Sequence, residues 1–325
     1  MPEPIGEFEL IARYFDRGVA APRVELGIGD DCALIDGGPG LQWAVTTDML
    51  VEGVHFLAGV DPQALGHKSL AVNLSDLAAC GAQPRCFFLA IAVPRVDEAW
   101  LGAFTRGLFA LADRHGCALA GGDTTRSPLG LTISITAVGE VPRGQALLRS
   151  GAVAGDELWV SGTLGDGALG LASRRGELQL AQKASDAAVD RLERPQPRVA
   201  LGMALRGIAT AAIDISDGLA GDLGHILERS RLAATVDWNA VPRSQALRAL
   251  DVVTQQRFVL AGGDDYELLF TAPPSASAAV RAAGVAAGVD VTRIGVVRAG
   301  AGLTVSGPDG REVDIAARAF DHFRP

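Results

Sequence analysis

A chain of 325 residues is long enough for about two domains, and its 48% of hydrophobic residues is ordinary for a globular protein with a sizeable core. Its net charge of −9 repels nucleic-acid backbone, and no run of about 18 consecutive apolar residues occurs, so neither nucleic acid nor a membrane is an expected partner. Its four cysteines lack metal-binding spacing, and its beginning lacks the basic and apolar segments of a signal peptide, so we expect reduced thiols and a cytoplasmic location.

The first half of the chain predicts alternating helices and strands. An amphipathic helix is predicted over residues 7–15, and a buried strand over 43–47 that ends at Asp48. Asp61 as N-cap and Pro62 at the first helical position predict a helix that runs towards Ala79. Further elements follow in order: a strand at 86–93, a helix from Asp97 to about 116, and strands at 118–122 and 131–138.

Residues 147–154 are interpreted as a linker, after which the alternation resumes. The predicted elements are a strand at 156–161, a helix from about 166, a strand at 211–215, a helix to about 229, strands at 232–236 and 266–271, a helix at 275–287, a strand at 291–297 and a turn at 308–310. This order predicts an α/β fold, or α+β layers, in two α/β domains at residues 1–146 and 147–325.

Five short acidic motifs are scattered through the chain, each with a carboxylate beside Gly, Ser or Thr. They are Gly-Asp-Asp ending at Asp31, Thr-Thr-Asp ending at Asp48, Asn-Leu-Ser-Asp ending at Asp76, Gly-Gly-Asp ending at Asp123, and Asp-Ile-Ser-Asp from Asp214 to Asp217. Carboxylate and hydroxyl oxygens are ligands that suit Mg²⁺, which proteins usually bind together with substrate phosphates. Each motif alone is typical of a turn or an N-cap. Together they favour a magnesium-dependent enzyme that acts on a nucleotide.

Two other patterns concern phosphate binding. The chain lacks a Walker A loop, and its single Gly-x-Gly-x-x-Gly, at Gly165, Gly167 and Gly170, is interpreted as a tight strand-to-helix turn rather than a dinucleotide site. His55 follows the acidic strand end, and Arg149 stands at the start of the linker. Either residue is suited to a phosphate, although a lone His or a linker Arg is also ordinary on a protein surface.

Eight segments of the chain are recognisable together: GEFELIARYF (6–15), GIGDDCAL (27–34), TTDMLVEGVHF (46–56), AVNLSDLAACGA (71–82), GGDTTR (121–126), DISDGLAGDLGH (214–225), GGDDYELLF (262–270) and DHF (321–323). With these segments the chain resembles the bacterial thiamine-monophosphate kinase family, within the aminoimidazole-ribonucleotide-synthetase-like superfamily. They occur in the family's order and extend over nearly the whole chain. The resemblance implies ATP-dependent phosphorylation of thiamine monophosphate to thiamine diphosphate with several Mg²⁺ ions, and an N-terminal domain that forms a shared β-barrel in a homodimer.

The resemblance also implies roles for individual residues. The implied metal ligands are Asp31, Thr46, Thr47, Asp48, Asp76, Asp123, Asp214 and Asp217. The implied ATP contacts are Gly122, Arg149 and Ser216, and the implied thiamine-phosphate contacts are His55, Asp264 and Phe320. Asp264 stands where the family usually has Glu, and Phe320 where it often has Tyr or Trp. The carboxylate and the ring are kept, so we expect the same reaction with a different affinity.

Alternatives to this reaction remain within and outside the superfamily. Another ATP-using synthetase that acts on a purine precursor is the first, whereas selenophosphate synthesis is disfavoured because residues 1–26 contain no cysteine. A non-catalytic regulator that binds metal or nucleotide is the second. A homodimer is expected from the residues themselves, because the strands at 86–93 and 131–138 are apolar on both faces and few helices are available to cover them.

Overall fold

Two six-stranded sheets, one from each half of the chain, carry helices on their faces. The structure is a computed structural model, and it describes residues 6–16, 21–307 and 311–313. Both sheets are mixed, so the α/β prediction in two layered halves is confirmed. The expected shared barrel stays a prediction.

The first sheet has the strand order β1-β2-β3-β6-β4-β5 and is antiparallel except for the β4–β5 pair. Its strands are β1 (Val24–Leu26), β2 (Ala33–Asp36), β3 (Leu41–Val51), β4 (Gln83–Val93), β5 (Ala118–Arg126) and β6 (Thr132–Pro142). The helices of this half are α1 (Glu7–Tyr14), α2 (Pro62–Ala79) and α3 (Glu98–His115). Because β4 and β5 are parallel, α3 forms the crossover between them.

The second sheet has the order β12-β9-β11-β7-β10-β8, and only its β9–β12 pair is parallel. Its strands are β7 (Glu157–Ser161), β8 (Ala211–Asp214), β9 (Ala233–Asp237), β10 (Leu268–Ala272), β11 (Val291–Arg298) and β12 (Gly302–Ser306). The helices are α4 (Asp166–Arg174), α5 (Gln182–Glu193), α6 (Val199–Ala204), α7 (Leu219–Ser230), α8 (Gln245–Arg248), α9 (Val252–Ala261) and α10 (Ser277–Ala287), with a 3₁₀ turn at Pro274–Ala276.

Helix α2 is the central element, because it packs on the first sheet, on α3 and on parts of the second half. The side chain of Asp61 accepts the N–H of Gln63 at 2.7 Å, which caps the start of the helix as predicted. A Cβ atom at Gly66 would lie 2.0 Å from the Phe104 carbonyl oxygen, and one at Gly107 would lie 1.8 Å from that of Gln63. Glycine on both helices therefore lets α2 and α3 approach closely.

The predicted elements are mostly present, with differences at their ends. Strand β3 continues to Val51, so Asp48 lies within the strand and not at its end, and the strand is buried on one face only. Strand β5 continues to Arg126, so Asp123 is a strand residue. Both extensions follow from pairing with long neighbouring strands, which local residue preferences do not reveal. The turn at 308–310 lies outside the described residues.

The Gly-x-Gly-x-x-Gly segment forms the tight turn that the sequence predicted. Gly165 adopts a φ of +85° as the N-cap of α4, and Gly170 packs so closely on α5 that a Cβ atom would lie 2.3 Å from the Ala188 carbonyl oxygen. The preceding strand β7 pairs antiparallel with β10 and β11, unlike the parallel sheet of a dinucleotide fold.

Two general expectations concern membranes and thiols. Among the residues that the structure describes, no helix has the length and apolar character needed to cross a membrane. Cys32, Cys80 and Cys117 are buried, Cys86 is partly buried, and all four are free thiols.

Candidate functional site

Three carboxylates from distant parts of the chain meet where the two halves pack together. Oxygen atoms of Asp31, Asp76 and Asp214 all lie within 4.8 Å of one another. Asp31 precedes β2, Asp76 lies on α2, and Asp214 is the last residue of β8. The sequence predicted all three as metal ligands, and their distance from one another is within the reach of a single cation.

Neighbouring side chains orient these carboxylates. The Thr46 hydroxyl donates a hydrogen bond to Asp76, and the Ser75 hydroxyl donates one to Asp214 at 2.6 Å. Asp48 lies two residues after Thr46 on the same face of β3, and the negative charge of its carboxylate acts on that of Asp76. Thr46 and Asp48 therefore belong to the cluster.

The electrostatics of the cluster favour a bound cation. Burial, together with the negative charges of Asp48 and Asp214, raises the pKa of Asp76 well above its ordinary value. Burial and the charge of Asp31 raise the pKa of Asp214 to about 8. The Oδ2 atom of Asp31 is buried without a hydrogen-bond partner among the described residues. Carboxylates that repel one another and leave a buried oxygen unpaired fit a site for a hard cation such as Mg²⁺.

Arg149 contributes positive charge at the edge of the cluster. Its guanidinium donates to Asp31 at 2.6 Å, and its backbone N–H donates to the Asp30 carboxylate at 3.1 Å. Burial and the neighbouring charge of Asp31 raise the pKa of Asp30 to about 6. The linker that contains Arg149 is thus held against the tandem aspartates, with a cation beside the carboxylates.

The turn from Ser216 to Gly218 is shaped by an acid that sequence reasoning missed. The buried Asp222 carboxylate accepts the backbone N–H groups of Ser216 and Asp217, each at 3.1 Å. Burial and the negative charges of Asp217 and Asp214 raise the pKa of Asp222 well above its ordinary value. An acid in the first turn of a helix that follows Ser-Asp-Gly is the sequence signal that would have found it.

A pocket beside the cluster contains two of the predicted substrate contacts, His55 and Asp264. Nδ1 of His55 accepts the Val51 N–H at 3.0 Å, which fixes the ring orientation. The pocket is lined by Val54, His55, Phe56, Leu57, Val60, Leu65, Lys68, Leu171, Arg175, Leu192, Glu193 and Asp264. Mostly apolar walls with a few charged groups are typical of a small-molecule site.

The loop that contains Asp264 has an unusual backbone that its neighbours stabilise. Asp264 and Tyr266 have φ values of +69° and +51°. The Asp264 N–H donates to the Ser216 carbonyl at 2.9 Å, so this loop and the Ser216 turn are directly linked. Asp265 accepts the N–H groups of Gly165 and Gly167 at 2.6 and 3.0 Å. Strain of this kind is often kept at functional sites.

The structure does not bring every predicted residue to the cluster. The Thr47 side chain lies on the exposed face of β3, where its hydroxyl is 2.9 Å from that of Thr136. Asp48, Ile135, Leu89 and Gly122 are successive cross-strand partners, so Gly122 lies about 14 Å from Asp48 at the usual strand spacing, and Asp123 follows it. Phe320 lies outside the described residues.

Comparison with known families agrees with this architecture. The family models for the AIR synthase related protein match residues 29–141 with the N-terminal domain and residues 153–307 with the C-terminal domain. The chain thus has the two domains of an AIR synthase related protein.

Individual relatives identify a smaller group within this family. The thiamine-monophosphate kinase of Salmonella typhimurium is 49% identical over 98% of both chains, and that of Bacillus subtilis is 33% identical over 98% of this chain and 99% of its own. The solved structure described as AaThiL complexed with AMPPCP and TMP has a TM-score of 0.83 at 31% identity and covers 98% of this chain and 97% of its own. The chain belongs to the AIR synthase related family and, within it, to the thiamine-monophosphate kinases.

Proposed function

We propose that the protein transfers the γ-phosphoryl group of ATP to thiamine monophosphate and so forms thiamine diphosphate and ADP. The observation that carries the proposal is the cluster of Asp31, Asp76 and Asp214 next to the pocket of His55 and Asp264. This arrangement belongs to a chain that matches thiamine-monophosphate kinases over 98% of its length. The relative described with AMPPCP and TMP holds an ATP analogue together with such an acceptor, which supports the same pair of substrates here.

Magnesium would be held by the clustered acids, with Asp31, Asp76 and Asp214 at the centre and Asp48, Thr46 and Asp217 around them. When bound, the metal supplies positive charge that offsets the negative charge spread over the transferred phosphoryl group. The acceptor oxygen already belongs to a phosphate that is anionic at neutral pH, so a general base is not needed. The chain's own task is to align the two phosphates and to reduce their repulsion. We propose direct in-line transfer on these grounds.

For the nucleotide, Arg149 and Ser216 are the proposed contacts on this chain. The side chain of Arg149 is 17% exposed and its guanidinium pairs with Asp31, so it stands where a phosphate beside the metal cluster would lie. Ser216 belongs to the turn that precedes α7, whose first N–H groups lack helical partners and favour an anion.

For the acceptor, His55, Asp264 and Phe320 are the proposed contacts. Asp264 would attract the positively charged thiazolium ring, and an aromatic ring beside such a cation contributes roughly 0.5–2 kcal/mol. In a Phe320→Ala variant we expect a higher KM for thiamine monophosphate and an almost unchanged KM for ATP. Equal weakening for both substrates with a lower melting temperature would instead indicate a structural role.

We also propose a homodimer formed through the first sheet. All nine residues of β5 are exposed, and Met49 and Phe88 expose 57% and 43% of their surface on the face away from α2. An unpaired edge with apolar residues beside it favours association with a second copy. Gly122 and Asp123 lie on this edge, so association would let them act in the partner's site. Sedimentation that shows a monomer at micromolar concentration would contradict this.

We also propose a boundary between the two domains and a location in the cell. The domain boundary is proposed between residues 146 and 147, and the matched regions, 29–141 and 153–307, lie on either side of it. A cytoplasmic location is proposed because the four cysteines are free and at least partly buried.

The activity is tested by incubating the protein with radiolabelled ATP, Mg²⁺ and thiamine monophosphate. With the label on the γ-phosphate, we expect labelled thiamine diphosphate and an equal amount of unlabelled ADP. We expect no product when Mg²⁺ is replaced by EDTA. Aminoimidazole precursors of purines serve as alternative acceptors in parallel reactions. Phosphorylation of a purine precursor without phosphorylation of thiamine monophosphate would replace the proposal with a synthetase function.

A further inference from the structure

A buried ion pair forms one side of the pocket that contains His55. Nζ of Lys68 lies 2.7 Å from a carboxylate oxygen of Asp264. The lysine side chain is 4% exposed and the aspartate side chain 29%. Lysine is almost never fully buried unless it is paired, so the burial of Lys68 depends on its counter-charge.

The surroundings of Lys68 leave it few partners. An ammonium group has three N–H donors, and the described residues offer the Asp264 carboxylate and the main-chain oxygen of His55, the latter at 3.5 Å. Glu193, the other acid in the pocket lining, is held by Arg174 at 2.8 and 3.0 Å. Asp264 is therefore the counter-charge on which the buried Lys68 depends.

We propose that the acceptor exchanges this ion pair for its own two charges. The acceptor's phosphate takes the place of Asp264 beside Lys68, and its positively charged ring takes the place of Lys68 beside Asp264. This inference rests on the proposed function, because thiamine monophosphate carries both an anionic phosphate and a cationic ring. Lys68 is then a specificity residue that selects the phosphorylated form of thiamine over the free form.

The selection follows from the burial of Lys68. Free thiamine brings only a positive charge, so its binding at Asp264 would leave the buried ammonium without a counter-charge, which is costly. Inorganic phosphate has the opposite defect, because its binding at Lys68 would leave Asp264 unpaired. A ligand with both charges replaces both partners. The same helix, α2, carries Lys68 and the metal ligand Asp76, so the proposed phosphate contact is part of the element that holds the cluster.

Calorimetry with a Lys68→Met variant tests the exchange. Dissociation constants for thiamine monophosphate and for free thiamine are measured on the full chain, together with the KM for thiamine monophosphate. We expect the variant to bind thiamine monophosphate roughly 10- to 100-fold more weakly, since a charge-assisted contact is lost. We expect it to bind free thiamine more tightly, because Asp264 is released. Lys183→Met, at an exposed lysine on α5, is the matched control and should leave both constants within about twofold.

Opposite changes for the two ligands support the exchange, whereas weaker binding of both, or of neither, overturns it. If Lys68→Met does not fold by circular dichroism, Asp264→Asn replaces it. That variant should bind free thiamine more weakly and inorganic phosphate more tightly, and parallel changes would again overturn the inference. Calorimetry measures binding and needs no turnover. A wild-type protein without kinase activity would refute the proposed function, whereas the dissociation constants would still test the charge exchange.

Discussion

Two of the acidic sites among the described residues differ in how their negative charge is balanced. Glu267 is fully buried and receives hydrogen bonds from Arg191 at 2.7 Å, from Nε of Arg198 at 2.6 Å and from the Ser161 hydroxyl at 2.5 Å. The cluster of Asp31, Asp76 and Asp214, with Asp48 beside it, has only Arg149 as a paired cation among the described residues. A carboxylate with cationic partners stabilises the fold, whereas a surplus of carboxylates marks a place where a cation binds.

The largest effect is expected from removing one charge of the cluster. Asp76→Asn keeps the size of the side chain, and we expect turnover to fall by about 10²–10³-fold, the scale seen when one charge-stabilising group is lost. The metal-free variant should melt no lower than the wild type, because a carboxylate that its neighbours repel has become neutral. Steady-state kinetics over a range of Mg²⁺ concentrations, with thermal melting in EDTA, check both statements. Near wild-type turnover with unchanged Mg²⁺ dependence would remove Asp76 from the site.

At Glu267, whose charge is balanced by two arginines, we expect a loss of stability instead of a loss of Mg²⁺-dependent turnover. Glu267→Gln leaves Arg191 and Arg198 without their anion, and we expect the free energy of unfolding to fall by about 3 kcal/mol. Urea unfolding followed by circular dichroism measures this change. The folded variant should keep its Mg²⁺ dependence, since Glu267 does not belong to the cluster. A loss of Mg²⁺ affinity without a loss of stability would show that Glu267 acts in metal binding and not in stabilising the fold.

A third prediction concerns pH. Asp214 has its pKa raised to about 8 in the folded protein, against an ordinary value of 3.8, so between these pH values the folded state retains a proton that the unfolded state releases. The stability of the metal-free protein should therefore fall as the pH rises from about 4 to about 8. Mg²⁺ binds the deprotonated carboxylates, so the increase in melting temperature that it causes should grow over the same range.

Melting curves in EDTA and in Mg²⁺ at pH 5 to 8.5 measure the two trends, with differences of several degrees expected. Asp214→Asn is the control, because it removes one titrating carboxyl and should make both dependences less steep while the neighbouring acids continue to titrate. An Mg²⁺-induced increase that stays constant from pH 5 to 8.5 in the wild type would contradict the assignment.

The smallest effect is expected at a residue that only orients a ligand. Ser75→Ala removes the hydroxyl that donates to Asp214 at 2.6 Å. We expect roughly 10-fold weaker Mg²⁺ binding, as is usual when a partner of a metal ligand is removed. Turnover at saturating Mg²⁺ should stay close to that of the wild type. Ser69→Ala is a matched control, because the Ser69 hydroxyl donates to a backbone carbonyl on the same helix.

Much of this site was predictable because its residues stand in short acidic motifs beside Gly, Ser or Thr, which are visible in the sequence itself. Asp31, Asp76 and Asp214 were predicted as metal ligands and are together. Asp48 was expected at a strand end and lies within β3, because the length of a strand depends on its pairing partners.

Other features depend on tertiary packing and could not be predicted from local sequence. Lys68, in the segment HKSL, is typical of an exposed helix position, and its burial arises only because the two halves close over α2. The neighbouring acids Asp264, Asp265 and Glu267 look alike in sequence and have three different roles, in the pocket, at a turn and in the arginine network.

The rigidity of helix α2 has a consequence for the length of the acceptor. Lys68 and Asp76 are eight residues apart on one continuous helix, which sets about 12 Å between them along the axis. Close contacts at Gly66, and of Gly202 with the Ala78 carbonyl, prevent the helix from sliding or bending to change this distance. The helix therefore fixes the distance between the pocket and the cluster. Inserting one residue between these positions would shift one end of the helix by about 1.5 Å and rotate it by about 100°. The acceptor could then still bind in the pocket, but its phosphate would no longer be aligned with the cluster for phosphoryl transfer.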